Sequence, residues 1–235
     1  MKLRSMMCVG AMALATAALA DYTDGKVCGW MRIDSTLPVT AVGVPWVDVG
    51  NTNSNVKVAD LVKTDGLTDG DNLYVFNNGT WTFYTLDTGA WVAGTTANSS
   101  ITATAGNPSE STIARGQALY LERKNPTTPA YFYVYGAVGS ELTSSSFSSA
   151  KKYLVASPKA AAFTVTSDKI SGASNKDVIQ VPLAGGTSRT YQYFSSKNKW
   201  RCNGKWEGEA GYEDIPLGTG FWYLASSTSA ITFTW

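Results

Sequence analysis

The sequence predicts an all-β protein: two tandem, internally repeated β-sandwich or barrel-like modules with at most one or two short helices. Three observations carry this expectation. Short β-branched and aromatic runs recur between Gly, Asn, Asp and Ser clusters, at a spacing of about 8–12 residues that suits sandwiches and barrels. The two halves also share a pattern. Gly79-Thr80, Tyr84, Trp91 and the run Arg115–Leu121 are matched by Gly186-Thr187, Tyr193, Trp200 and Leu217–Leu224, and Tyr precedes Trp by the same interval in both. Asp60-Leu61-Val62 and Asp168-Lys169-Ile170 lie ahead of the two Gly-Thr pairs, and each half closes on an alternating aromatic run, Tyr131–Tyr135 and Ile231–Trp235. Such self-similarity speaks to architecture. Third, helical periodicity is confined to Val58–Lys63, where Val58, Leu61 and Val62 fall on one face.

Residues 1–20 read as a secretory signal. Lys2 and Arg4 precede an apolar stretch from Met6 to Ala18, and Ala18-Leu19-Ala20 places small residues at −3 and −1 of a cleavage site, so that Asp21 begins the mature chain. The apolar stretch falls short of the roughly 20 residues that span a bilayer, and nothing downstream reaches that length. Removing the leader lowers Lys plus Arg from 19 to 17 against 18 acids, leaving a net charge of −1. A balance so even, without a basic run, argues against nucleic acid as a partner. The expected location is therefore the cell surface, the periplasm or the exterior.

The mature chain divides on composition into a first module, 21–140, a Ser-rich linker, 141–150, and a second module, 151–235. In the first module, strands are expected at Val39–Val49, Asn72–Phe76, Thr80–Leu86, Ala90–Ala93, Ala118–Glu122 and Tyr131–Tyr135. In the second they are expected at Tyr153–Ala156, Phe163–Thr166, Val178–Val181, Arg189–Phe194, Lys199–Cys202, Phe221–Leu224 and Ile231–Trp235. Asn77-Asn78-Gly79 and Ala184-Gly185-Gly186 supply residues that tolerate the positive φ of tight hairpins. Asn98–Thr112, Asn125–Pro129 and Gly139–Lys151 read as loops.

Candidate chemistry is thin. The chain has no histidine, which removes the commonest general base and the preferred ligand of catalytic zinc. No phosphate or dinucleotide fingerprint is present, so no cofactor is expected. Ser148-Ser149-Ala150-Lys151 holds a lone Ser-x-x-Lys inside the linker. Asp48, Asp87, Glu122, Glu207, Glu213 and Asp214 provide acids, but their spacing singles out no glycosidase pair. Asp65–Asp71 clusters oxygen ligands around glycines, yet Phe76 stands where an EF-hand has its bidentate Glu, so a polar turn is expected and no metal. The alternating C-terminus resembles the last strand of an outer-membrane barrel, but the runs are too short for such strands.

Aromatic content is what remains. Eight Trp and twelve Tyr all lie in the mature chain, and exposed aromatic faces on β-surfaces stack sugars while neighbouring amides and carboxylates fix hydroxyls. The candidate ligand contacts are Trp206, Trp81, Trp91, Trp200, Trp222, Tyr84 and Tyr193. The positions shared by both halves (Tyr84 with Tyr193, Trp91 with Trp200, Tyr120 with Trp222) suit a packed core, which leaves Trp206, unmatched in the first half, as the leading contact. Cys28 and Cys202 are the two cysteines of the mature chain, and an exported pair predicts a disulfide. The reading is a secreted or cell-surface, non-catalytic protein whose partner is an extracellular glycan or surface protein. A structural or assembly role at the cell surface is the alternative.

Overall fold

The computed structural model describes residues 19–23, 26–34, 39–43, 55–61, 66–77, 79–96, 101–114, 116–125, 131–137, 144–147, 152–159, 161–183 and 187–235. In chain order the elements are β1 (Leu19–Thr23), β2 (Lys26–Asp34), β3 (Val39–Gly43), β4 (Asn55–Lys57), α1 (Val58–Leu61), β5 (Asn72–Asn77), β6 (Thr80–Asp87), β7 (Ala90–Ala93), β8 (Ala103–Ala105), β9 (Thr112–Ala114) and β10 (Ala118–Glu122). There follow β11 (Tyr131–Ala137), β12 (Ser144–Phe147), β13 (Lys152–Val155), β14 (Ile170–Ser171), β15 (Val178–Pro182), β16 (Ser188–Phe194), β17 (Lys199–Cys202), β18 (Lys205–Trp206), β19 (Phe221–Leu224) and β20 (Ile231–Thr234). Among the described residues the protein is all-β apart from the helical turn α1, and no helix there is long and apolar enough to cross a membrane.

Two large sheets dominate. The first has the order β3-β10-β5-β6-β7, with β8 added parallel to β6; the second has β13-β19-β15-β16-β17-β18. The small sheet β12-β20-β14 completes the core of the second through Phe147, Ile170, Ile231 and Phe233, and Ile33 of the small sheet β1-β2-β11 joins the core of the first. Period-two alternation sorts the side chains. In β6, Tyr84 and Leu86 turn inward to Leu73, Trp91, Leu119 and Leu121. In β16, Tyr191 and Tyr193 turn inward to Ile179, Trp200, Phe221, Tyr223 and Phe233.

Each large sheet is entered through a buried aspartate. The Asp71 carboxylate accepts bonds from the Thr68 amide (3.0 Å), the Lys124 amide (2.7 Å) and Arg123 Nε (3.0 Å). The Asp177 carboxylate accepts from the Ser174 amide (2.8 Å), the Ser226 amide (2.6 Å) and the Tyr223 hydroxyl (2.5 Å). Their backbones also act alike: Leu86 N donates to Asp71 O, and Tyr193 N to Asp177 O. Leu86 and Tyr193 therefore hold the same place in their sheets, which corrects the expected match of Tyr84 with Tyr193. Trp91 lies across from Leu86 and Trp200 from Tyr193, whereas Tyr84 faces Ala93. The cause is the hairpin. β6 and β7 are joined by Thr88-Gly89, both at positive φ (50° and 74°), while β16 and β17 are joined by the four residues Ser195–Asn198. The equal Tyr-to-Trp interval is thus divided differently between strand and loop.

The large sheets meet at a third apolar cluster, Ala118, Leu154, Ala156 and Trp222 with Phe76, Trp81, Tyr120 and Leu224. Gly43 N donates to Gly218 O and Ala156 N to Gly116 O, both at 2.8 Å. Where the backbones come closest the residues are small: a Cβ on Gly43 would stand 2.7 Å from that of Ala156, and one on Gly220 2.7 Å from that of Ala118.

Several expectations need correcting. Ser144–Phe147, read as linker, is β12, paired with β20, and Phe147 packs against Tyr153 and Phe233. Asn98–Thr112, read as loop, contains β8. Lys26–Asp34 forms a strand that the sequence reading left unassigned, while Phe163–Thr166 contributes only a bridge between Phe163 and Ile215. Asp60 lies in α1, but Asp168 lies in the turn before β14, so those two do not correspond. β1 runs through the expected cleavage point, and scission after Ala20 would leave its pairs Asp21–Cys28, Tyr22–Val27 and Thr23–Lys26. Residues 1–18, 44–49, Val62 and Lys63, Asp65, Asn78, 97–100, 126–130, the Ser-x-x-Lys at 148–151 and the Ala184–Gly186 turn lie outside the described residues.

Candidate functional site

Cross-strand register brings together residues far apart in sequence on the outward face of the first large sheet. Glu122, Asn72, Thr85 and Val92 stand side by side on β10, β5, β6 and β7. Glu122 Oε2 accepts from the Tyr74 hydroxyl (2.8 Å) and Asn72 Nδ2 (3.2 Å); Thr85 Oγ1 donates to Asn72 Oδ1 (2.8 Å) and accepts from Thr95 N (3.1 Å). Asn72 Nδ2 also reaches Thr96 O at 3.1 Å, tying the Thr95-Thr96 segment to the sheet. Together with Gly70, Arg123 and Lys124 these residues line an open cleft of about 580 Å³. Its floor is rigid, because Arg123 and Asp71 form an ion pair of zero side-chain exposure beneath it. Carboxylate, amide and hydroxyl groups held by one another thus converge on one hollow, with the exposed Lys124 at its rim, the arrangement that small polar ligands exploit.

Beside the cleft runs a ladder of rings. Tyr74 stacks on Phe83 (5.8 Å between centroids), Trp81 stacks on Tyr120 (5.1 Å), and Phe76 meets Trp222 edge-on at 5.1 Å. Trp222 Nε1 donates to the Tyr120 hydroxyl, and Lys152 Nζ lies 4.0 Å from the Trp222 ring centroid. The ladder carries the contact between the two large sheets.

On the second large sheet the equivalent row reads Leu224, Val178, Gln192, Arg201 and Trp206. Trp206 is half-buried on the last strand, edge-on to Phe194 (5.3 Å) and within 5.4 Å of the Arg201 guanidinium. Of the expected contacts, Trp206 and Trp81 keep a partly open ring. Trp91, Trp200, Tyr84 and Tyr193 are core, and Trp222 is enclosed at the junction. A ring packed on both sides has no face for a ligand, so burial takes these five out of the candidate set.

Two of the candidate acids are engaged by the fold. Glu207 holds Ser167 N (2.9 Å), Ser167 Oγ (2.6 Å) and Trp200 N (3.0 Å), and Glu213 pairs with Arg189. Among the described residues no cluster of three Cys, Asp or Glu side chains is placed to hold a metal, and Asp71 is already saturated by protein donors. Cys202 is a free thiol buried in the second core. As a free thiol it does not carry the expected disulfide in this structure, and the side chain of the expected partner, Cys28, lies outside the described residues. Burial raises the Cys202 pKa, outweighing the nearby Arg189 charge.

In the sequence Glu122 is one acid among several, and Asn72 and Thr85 belong to no motif. The available signal was local: both interrupt the outward-facing aromatic alternation of β5 and β6. No family description, no curated protein and no solved structure matches the chain.

Proposed function

We propose that the chain is an exported, non-catalytic protein built from two copies of one β-module, which works by binding an extracellular glycan or a glycan-bearing surface. The duplication rests on the shared strand order β3-β10-β5-β6-β7 and β13-β19-β15-β16-β17, and on the matched roles of Asp71 and Asp177. Export rests on the leader pattern of residues 1–20.

The observation that carries glycan binding is the Glu122–Asn72–Thr85 cleft. It presents donors and acceptors at fixed spacing beside aromatic rings, with charges of both signs, which suits a ligand of many hydroxyls. Glu122 is the sole carboxylate among the described residues that line it. A glycosidase of the two-carboxylate kind needs a second acid across the bond, so contact fits better than turnover. Titration calorimetry of the purified protein with neutral oligosaccharides tests this. Binding should weaken about tenfold in Glu122→Gln, the scale of one charge-assisted hydrogen bond. Unchanged binding in that variant removes the cleft as the site.

A structural role at the cell surface is the second reading, favoured by the burial of Trp91, Trp200 and Trp222. It would use unpaired edges. The edge strands β14 and β18 have two residues each, a form that resists pairing between chains, whereas β11, at the edge of its sheet, has seven and is the edge that reading would use.

A further inference from the structure

The charged strand positions on the outward face of the second large sheet are all cations: Lys152 on β13, and Lys199 and Arg201 on β17, all exposed. The outward positions of β15, β16 and β19 hold Val178, Gln180 and Pro182; Ser188, Thr190, Gln192 and Phe194; and Trp222 and Leu224, with no acid. On the first large sheet the strand positions of the same face carry the acids Glu122 and Asp87, and Lys124 joins them only beyond the end of β10. The two faces share their strand order and differ in the charge of their strand residues. We propose that the second face is a binding platform of its own, which takes an acidic polysaccharide, one bearing carboxylate or sulfate groups.

Charge complementarity names the occupant, and the aromatic and amide residues refine it. The row from Lys152 through Leu224, Val178 and Gln192 to Arg201 crosses four strand-to-strand steps, roughly 19 Å at the usual strand spacing. An extended polyanion laid along it meets a cation at each end of the row. Gln192 and Gln180 stand between as amide partners for hydroxyls. Trp206, held by Phe194 and by the Glu209 carboxylate on its backbone amide (3.0 Å), closes the row with a half-open ring on which a sugar can stack. Arg201 belongs to both parts, since its guanidinium reaches the Trp206 ring and its planar fork suits carboxylate or sulfate oxygens.

The platform deepens the glycan-binding reading and rests on it, but uses different residues, so the two can fail separately. Affinity electrophoresis and calorimetry of the full protein with polygalacturonate, dextran sulfate, uncharged dextran and single-stranded DNA form the test. Polygalacturonate or dextran sulfate should bind, and binding should fall steeply as salt rises. Arg201→Ala and Lys199→Gln should each weaken it several-fold, and Trp206→Ala should weaken it with the salt dependence unchanged. Glu122→Gln should leave it intact, and far-ultraviolet circular dichroism confirms that each variant is folded. The pattern of which polyanion wins assigns carboxylate or sulfate. Loss in Glu122→Gln with Arg201→Ala unaffected places the polymer in the first cleft and overturns the platform, leaving the general reading standing. Equal binding of DNA shows a charge surface without sugar recognition and overturns it too. Retention of no polysaccharide, charged or neutral, overturns both.

Discussion

At the scale of single residues, buried polar groups are the most demanding features of this chain. Arg123 and Asp71 are both fully enclosed, and the arginine also donates to Gly66 O at 2.8 Å. Truncating one partner strands a charge in the interior, so Arg123→Ala should cost about 3–5 kcal/mol in urea unfolding. Asp177 faces the Tyr223 hydroxyl instead, a neutral donor, and Tyr223→Phe should cost less, about 1–3 kcal/mol. Cys202 offers a different readout. A thiol that is 2% exposed, with its pKa raised by burial, should resist alkylation in the folded protein and react on denaturation without reductant. Failure to react under those conditions, together with a mass lowered by two hydrogens, would restore the disulfide.

At the scale of elements, turn geometry decides which sequence matches mean structural equivalence. Thr88-Gly89 forms a two-residue hairpin at positive φ, and replacing Gly89 by Ala should cost about 1–2 kcal/mol while leaving the β6–β7 register intact, as read by thermal unfolding. The strands themselves were legible: Thr80–Leu86, Ala90–Ala93, Lys199–Cys202 and Phe221–Leu224 follow their β-branched and aromatic composition. Two things were not. Ser144–Phe147 looks like linker because Ser carries no strand signal of its own; Phe147 in the core and the pairing of Ser146 with Thr232 make it a strand. The equal Tyr-to-Trp interval suggests an equal register in the two halves, but an interval counts loop and strand residues together and cannot say how they are shared. The cleft was hidden for a related reason. Asn72 and Glu122 are 50 residues apart, and only pairing through β5 and β10 makes them neighbours.

At the scale of the whole molecule, the interior is rich in phenols. Burial pushes Tyr191 up to about 12 and raises Tyr212 and Tyr223 further, the last aided by Asp177. In the unfolded chain these groups ionise near 10. The folded state therefore holds its tyrosine protons where the unfolded state releases them. Their contribution is complete below about pH 10 and declines as pH rises toward 12 and beyond. Base titration followed by phenolate absorbance and circular dichroism should give late ionisation of these tyrosines coincident with unfolding; early ionisation in a folded protein would contradict the burial. The junction between the large sheets should respond as one unit as well. Gly220→Val drives a branched side chain into Ala118 and the Ala41 backbone, and a cost of about 1–3 kcal/mol, or two separated melting transitions, is expected. That junction carries a consequence for symmetry. Gly43 and Ala156 hold matching places in the two sheets and touch each other, as do Ala118 and Gly220, and Tyr120 and Trp222. In a homodimer of separate chains, a residue on the two-fold axis meets its own copy, so each such contact must pair like with like. Two alanines would collide at 2.7 Å between Cβ atoms, two glycines would leave a void, and two tryptophans would bring donor against donor. One chain holding both halves escapes that constraint, fitting one methyl into each gap and an indole donor to a phenol acceptor.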